Sequence, residues 1–203
     1  MSGNLRFLNA DAQGIYSMLA TAKVVYTLKL EENMMPIHDF EGKVPKIDPT
    51  VFVATTASVL GDVIIGEGSS VWPSAVIRGD FNKITIGKYT SIQDNAVIHA
   101  TPWNPTKIGD FVTVGHGAVI HAATIESNVL IGMKAVILDG SKINANSVIG
   151  AGSVVVENTE VPSNSLALGI LAKVVKTLDK DEQETRAQMG AMAYFQLAQK
   201  HKK

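Results

Sequence analysis

The chain has 203 residues, 46% of them hydrophobic, and a formal net charge of −1 at neutral pH. This length suffices for one domain with a sizeable core. The balanced charge provides no basic field for nucleic acid or for an anionic membrane. The absence of cysteine excludes disulfides, thiolate catalysis and cysteine-ligated zinc, so a metal site would need histidine or carboxylate ligands. It also favours a cytoplasmic protein, which is the localisation that we predict.

Residues 1–35 are predicted to be an N-terminal extension, whose role the sequence does not define. The segment from Gly14 to Leu30 is apolar, but Lys23 and Lys29 interrupt it, and it is too short and too charged for a membrane span. A targeting peptide is a less favoured alternative, because the start carries little positive charge and no clear cleavage site follows. A loosely attached helix or strand is the simpler expectation.

From Ile47 onward the sequence follows a period of six residues. Apart from three shifts of register, every sixth residue is Val or Ile, although these two types make up only 40 of the 203 residues. Four residues after most of these positions the side chain is small, as at Ala96, Ala118 and Ala135. The 18 positions are Val53, Val59, Ile65, Val71, Ile77, Ile86, Ile92, Ile98, Ile108, Val114, Ile120, Ile125, Ile131, Ile137, Ile143, Ile149, Val155 and Val161.

A period of six fits neither one long strand nor a helix. It favours short straight segments joined by sharp corners, with one branched aliphatic side chain per segment pointing inward. Three such segments close a triangular coil of about 18 residues, and the coils stack at the strand spacing of roughly 4.8 Å. We therefore predict an all-β solenoid over residues 36–178, in which each coil needs its neighbours to bury a core.

The repeat fades after Val161, and residues 168–178 are predicted to cross back over the prism. Residues 179–203 are predicted to form a C-terminal α-helix packed on the solenoid. Asp179 and Glu182 resemble a capping box, and the acidic start and basic end of the segment suit the helix dipole. The predicted buried stripe of this helix consists of Met189, Met192, Ala193 and Leu197.

Three of the five histidines, His99, His116 and His121, lie in one short stretch. His99 and His121 are one coil apart at the same phase of the repeat, so they stack and can reach one ion. His116 is five residues from His121 around a corner, and an extended chain covers up to about 17 Å over that distance. A threefold axis parallel to the prism would bring His116 of one chain to the pair of the next. Three histidines with an open fourth position are the ligands of a catalytic zinc, whereas any single histidine would more simply be a surface residue.

The segments VIRGDFNKITIG, KYTSIQDNAVIHA, VGHGAVIHAATI and IGMKAVILDG resemble the gamma-class carbonic anhydrases, which are hexapeptide-repeat proteins with a left-handed parallel β-helix. The resemblance covers roughly residues 36–178 and extends to the C-terminal helix. It implies a homotrimer with Zn2+, or Fe2+ or Co2+, held between subunits. His99, His116 and His121 match the metal ligands. The implied activity is the reversible hydration of CO2 to bicarbonate by metal-activated water.

The resemblance also implies roles for other residues. Gln93 matches a residue that orients the reacting water. Arg78, Asp80 and Asp94 match a charged network at the subunit interface, although ordinary surface charge would also account for them. Tyr194 matches a tyrosine near the site, with a plain packing role equally open.

The sequence departs from the best-known active pattern where proton transfer takes place. A glutamate just after the Arg-x-Asp motif is replaced by Phe81, which Asn82 follows. A long acidic loop that carries a second glutamate is replaced by the short loop from Thr101 to Thr106, which contains no acid. These changes leave the metal site intact and predict slow proton transfer.

Two other classes of function stay open from the sequence. One is hydrolysis of acyl-CoA thioesters or acyl transfer, because many hexapeptide proteins are acyltransferases. Those enzymes use a single histidine base, so a set of three histidines argues against transfer. The other is a non-catalytic, metal-binding assembly subunit. Turnover of CoA thioesters would identify the first class, and metal content without CO2 hydration would identify the second.

Overall fold

Short parallel strands stacked on three faces make up most of the chain in this computed structural model, which describes residues 36–202. The predicted N-terminal extension, residues 1–35, lies outside the described residues. Each strand pairs with its equivalents one coil before and one coil after, in parallel and in register, as Ile98 does with Ile77 and Ile120. The predicted all-β solenoid is therefore confirmed.

The strands fall into three columns, one for each face of the prism. The first face carries β3 (Phe52–Val53), β5 (Ser70–Val71), β7 (Ser91–Ile92), β10 (Thr113–Val114), β13 (Leu130–Ile131), β16 (Val148–Ile149) and β19 (Ser165–Leu168). The second carries β1 (Ile37–His38), β8 (Val97–His99), β11 (Val119–His121), β14 (Val136–Ile137) and β17 (Val154–Val155). The third carries β2 (Lys46–Ile47), β9 (Thr106–Ile108), β12 (Thr124–Ile125), β15 (Lys142–Ile143) and β18 (Glu160–Val161). Two longer strands, β4 (Ser58–Ile65) and β6 (Val76–Ile86), continue from the second face onto the third.

The branched aliphatic residues of the six-residue repeat form the core of the prism. Of the 18 predicted positions, all but Val53 are buried, and Val53 packs against the core from a partly buried position. The small residues that follow them, such as Ala96, Ala118 and Ala135, are also fully buried. Where glycine follows the aliphatic, the close stacking of coils leaves no room for a side chain. A Cβ at Gly115 would lie 2.7 Å from the backbone nitrogen of Met133.

Corners between segments place several non-glycine residues in the left-handed backbone region, and asparagine is frequent there. Asn128, Asn146 and Asn164 stack at one corner with φ between 56° and 60°. Their side-chain amides form a ladder, with 3.1 Å from Asn128 Nδ2 to Asn146 Oδ1 and 3.1 Å from Asn146 Nδ2 to Asn164 Oδ1. The amide ladder therefore stabilises a corner that the backbone alone would disfavour.

The first shift of register in the repeat lies inside β6, where three extra residues make the strand bulge outward from the prism. Nine residues separate Ile77 from Ile86 instead of six, and the strand pairing with β4 is irregular at this point. Asp80 and the exposed Phe81 lie on this extra segment. The irregular repeat thus supplies a ridge beside the second face.

The chain crosses back at its C-terminal end, where β20 (Lys173–Thr177) pairs antiparallel with β19. The helix α1 (Lys180–His201) follows. The Asp179 carboxylate caps it by accepting a hydrogen bond from the backbone N–H of Glu182 at 2.9 Å. The described part of the chain contains no helix that is both long and apolar enough to cross a membrane.

The predicted buried stripe of the helix is wrong. Met189, Met192, Ala193 and Leu197 are all exposed in the chain, with Met189 at 69%. The helix instead buries Gln183, Ala191 and Ala198. Small side chains at this spacing let the helix lie close to the flat first face, whereas bulky methionines would hold it away.

Candidate metal centre

His99 and His121 lie directly above one another at the corner where the second face meets the third. They are register partners in the parallel pairing of β8 with β11, as the period of the sequence predicts. His99 Nδ1 lies 3.1 Å from His121 Nε2. The two rings therefore direct one nitrogen each toward a common point.

Asp80 holds the outer nitrogen of His99. His99 Nε2 lies 3.0 Å from Asp80 Oδ1, and Arg78 forms an ion pair with the other carboxylate oxygen. Burial lowers the pKa of His99, and the positive charge of Arg78 adds to that effect against the opposing influence of Asp80. Burial would raise the pKa of Asp80, but hydrogen bonds from His99, Arg78 and the Phe81 backbone N–H together lower it. This arrangement favours a neutral His99 that donates Nε2–H to an ionised Asp80.

Asp139 holds the outer nitrogen of His121. One oxygen of its carboxylate contacts His121 Nδ1 closely, from the next coil of the prism. Asp139 is not among the site residues that the sequence predicts. The repeat places Asp139 one residue beyond Leu138, which stacks on His121, but the repeat alone does not show that the side chain turns toward the histidine.

The two inner nitrogens of the rings are close enough to share a cation. When both outer nitrogens donate hydrogens to carboxylates, both inner nitrogens present lone pairs to each other. A shared proton or a metal ion relieves that repulsion. Two nitrogens bound to one tetrahedral zinc at 2.0–2.1 Å would be about 3.3 Å apart, close to the 3.1 Å found here. The residues therefore fit a divalent metal ion.

His116 lies at a different corner of the prism, where the first face meets the second. Its Nδ1 lies 2.9 Å from Asp94 Oδ2, and the residue is exposed. Within the described part of the chain Asp94 pairs with His116, and the predicted charged network between subunits stays a prediction. The contact leaves Nε2 of His116 free to bind a metal ion. Each of the three predicted ligands therefore has its own carboxylate partner.

A cleft of about 650 Å³ lies between the part of the helix α1 from Gln183 to Tyr194 and the strands β10, β13 and β16 of the first face. Gln93, His116 and Tyr194 line it together. Gln93 is only 5% exposed, and its side-chain amide makes no hydrogen bond to residues 36–202. Tyr194 also packs edge-on against Trp72, with ring centroids 5.8 Å apart. The structure thus brings Gln93 beside His116 and gives Tyr194 a packing contact next to the same cleft.

The aromatic ring of Phe81 lies beside the histidine pair. The Phe81 ring lies 5.7 Å from the His99 ring, centroid to centroid. In the short loop that follows His99, Trp103 is 83% exposed. Asn82 Nδ2 donates to the Pro102 carbonyl at 3.3 Å and ties the β6 ridge to this loop. No acid from the loop reaches the site, as its sequence implies.

Residues 36–202 of a single chain hold no complete group of three metal-binding side chains. His99 and His121 converge, while His116 projects from another corner. Within residues 36–202 of one chain, the three predicted ligands therefore do not meet at one point.

Comparison with known proteins identifies the repeat and its relatives. The family model of the bacterial transferase hexapeptide, with six repeats, matches residues 122–157. A carbonic anhydrase of Geobacillus kaustophilus is 45% identical over 146 residues, which cover 72% of this chain and 80% of that protein. The mitochondrial gamma carbonic anhydrase 2 of Arabidopsis thaliana is 43% identical over 119 residues, or 56% of this chain and 42% of the plant protein.

The fold also matches solved structures of hexapeptide proteins. A hexapeptide transferase family protein from Anaplasma phagocytophilum superimposes with a TM-score of 0.76 and is 36% identical. The match covers 80% of this chain and 96% of that protein. The names of these similar proteins thus include both carbonic anhydrases and a transferase family.

Proposed function

The chain belongs to the gamma-class carbonic anhydrase family, and from that premise we propose that it hydrates CO2 reversibly to bicarbonate at a metal ion shared between chains. The observation that carries the proposal is the convergence of His99 Nδ1 and His121 Nε2 at 3.1 Å, with a carboxylate on each outer nitrogen. Carboxylates in this position orient histidine ligands and increase their basicity.

We propose a homotrimer, because the third histidine lies on another corner. His99 and His121 of one chain would bind the metal ion together with His116 of its neighbour. The ion would be Zn2+, or Fe2+ or Co2+, each of which accepts neutral imidazole ligands. Three histidines leave a fourth position open for a small molecule, as in catalytic sites.

A bound divalent metal ion lowers the pKa of a water molecule toward 7 and so provides a nucleophile at neutral pH. Residues of the chain would orient the reacting water and hold the histidine ligands in place. The Gln93 amide, which has no other partner in residues 36–202, would hold and orient the reacting water beside His116. Asp80 and Arg78 keep His99 in one orientation. Tyr194 lines the cleft and packs on Trp72.

Regeneration of the nucleophile requires a proton to reach the solvent. A carrier needs a pKa near the working pH. Asp80 is a poor carrier because its pKa is lowered by its hydrogen bonds to His99 and Arg78. Phe81 and the loop from Thr101 to Thr106 contain no titratable group. We therefore propose a hydratase whose maximal rate is limited by proton transfer.

Acyl transfer or thioester hydrolysis is the second candidate function, and the resemblance to a hexapeptide transferase supports it. A transferase that uses one histidine as a base needs that histidine free to take a proton from the substrate. Here His99 and His121 are engaged with each other and with carboxylates. The pairing therefore favours metal binding by His99 and His121, and it leaves His116, whose Nε2 is free within residues 36–202, as the base that acyl transfer would need.

The experiment that tests the proposed function measures metal and activity on one sample. The protein is purified anaerobically, and metal content, CO2 hydration by stopped flow and hydrolysis of acetyl-CoA are measured together. We expect one metal ion per chain and CO2 hydration that a chelator abolishes. Replacing the ligand His99→Ala should remove both, whereas replacing the exposed histidine His38→Ala should change neither. Metal-free protein that hydrolyses or transfers from acetyl-CoA would overturn the proposal in favour of the second candidate, and bound metal without CO2 hydration would favour an assembly subunit.

A further inference from the structure

The Asp139 carboxylate has one partner in the described part of the chain, the Nδ1 of His121. It is partly buried and forms no ion pair with Lys or Arg in residues 36–202. The backbone of Asp139 is held separately, since its carbonyl accepts a hydrogen bond from the Asn158 N–H at 2.9 Å. The side chain is thus available to act on His121 alone.

Glu157 is the residue equivalent to Asp139 in the next coil, and it has no histidine beside it within the described residues. Ile137 and Val155 are register partners, so Asp139 and Glu157 occupy the same place in successive coils. Glu157 is exposed, and its side chain makes no hydrogen bond within residues 36–202. The position itself therefore does not require a paired carboxylate. Contact with His121 is what distinguishes Asp139.

The contact decides which nitrogen of His121 can bind a metal ion. A carboxylate on Nδ1 keeps the hydrogen there and leaves the lone pair on Nε2. Nε2 is the atom that faces His99. Without Asp139, the hydrogen of a neutral ring could move to Nε2, and the ring could rotate away from the common point.

We propose that Asp139 is a positioning residue that fixes the Nδ1–H form of His121 and directs Nε2 to the metal ion. The inference rests on the proposed metal site, and it adds a residue that neither the sequence pattern nor the comparisons assign. Asp139 touches neither the substrate nor the metal ion. It acts through His121, as carboxylates behind histidine ligands do in other metal sites.

The test compares four proteins as full-length assemblies: wild type, Asp139→Ala, Asp139→Asn and the matched control Glu157→Ala. Zinc affinity is measured by competition with a chelator, and the melting temperature is measured without metal. The ring tautomer of His121 is read from nitrogen-15 NMR shifts of the metal-free protein, assigned with His121→Gln.

Asp139→Ala should weaken zinc binding by about 10- to 100-fold without changing the melting temperature of the metal-free protein. Asp139→Asn keeps an oxygen acceptor but removes the negative charge, so it should weaken zinc binding less than Asp139→Ala does. Glu157→Ala should leave the zinc affinity unchanged. In the metal-free state, wild type should show the Nδ1–H form of His121, and Asp139→Ala should lose it.

Wild-type zinc affinity and an unchanged His121 tautomer in Asp139→Ala would overturn the role of Asp139. If the wild type binds no zinc, the proposed function fails, and the tautomer still decides whether Asp139 orients the ring. If Asp139→Ala does not fold, Asp139→Asn provides the same two measurements, with an intermediate affinity supporting the role and wild-type values contradicting it.

Discussion

His99 Nδ1 and His121 Nε2 lie 3.1 Å apart because their residues are register partners in successive coils of the prism. The rings are 5.1 Å apart between centroids, close to the spacing of the strands that carry them. Each outer nitrogen contacts a carboxylate, Asp80 for His99 and Asp139 for His121. A column of four side chains is thus arranged around one gap between two nitrogens.

The column should make the metal-free protein sensitive to acid. The pKa of His99 is lowered from its ordinary value of 6.5, mainly by burial, so the unfolded chain takes up a proton at higher pH than the folded chain does. The stability that depends on neutral His99 is fully present above pH 6.5, and it is lost as the pH falls toward the pKa of His99 in the folded chain. Asp80, whose pKa is lowered from 3.8, adds a further loss at lower pH.

Melting temperatures of metal-free protein, measured from pH 8 to pH 5, test this expectation. They should fall with decreasing pH, and His99→Gln should flatten the slope between pH 7 and pH 5. His38→Gln, which removes an exposed histidine elsewhere, serves as the control and should keep the wild-type slope. An identical slope in His99→Gln would show that His99 does not contribute.

The repeat determined how much of this column could be predicted. Stacking of His99 on His121 follows from counting, because a residue's phase in a six-residue repeat fixes its face and corner. Asp139 lies one residue beyond the position stacked on His121, and phase does not tell whether a corner side chain turns back toward a histidine. Asp94 was identified, but its pairing with His116 depends on side-chain rotamers that a repeat does not determine.

The helix shows a different limit of the sequence. The apolar periodicity predicts that Met189 and Met192 are buried. Hydrophobicity indicates which residues are suited to burial, but it does not indicate how closely the helix approaches the surface that it packs on. The observed contact uses Ala191 and Ala198 instead. Close approach to a flat face favours small side chains, which carry a weak hydrophobic signal.

Substitutions on the helix test this packing. Met189→Gln should change the free energy of unfolding by less than about 0.5 kcal/mol, as is typical of exposed positions. Ala191→Gln should destabilise by about 1–3 kcal/mol, because it adds volume at a tightly packed site. Denaturant unfolding of both variants measures the difference. Equal destabilisation by the two would mean that Met189 is buried in the folded assembly.

The maximal rate of CO2 hydration should be limited by proton transfer from the site to the solvent. The rate should rise with the concentration of a small buffer such as imidazole, because the chain provides no titratable carrier at Phe81 or in the loop from Thr101 to Thr106. Phe81→Glu places a carboxylate on the β6 ridge beside His99 and should reduce the dependence on buffer. The conservative replacement Phe81→Leu is the matched control and should retain it. Fast hydration in the wild type that is insensitive to buffer would contradict the prediction and reveal another carrier.

The central claim, a metal site completed by two chains, is tested most directly by mixing two inactive variants. His116→Ala retains His99 and His121, while His121→Ala retains His116. After dissociation and reassembly at equal amounts, about one quarter of the interfaces should hold all three ligands, because each needs one chain of each kind in the correct order. A mixture of His99→Ala with His121→Ala cannot complement, since both ligands must come from the same chain. We predict recovery of about one quarter of the wild-type metal content in the first mixture and none in the second; proven mixed trimers without recovery in the first would contradict the shared site.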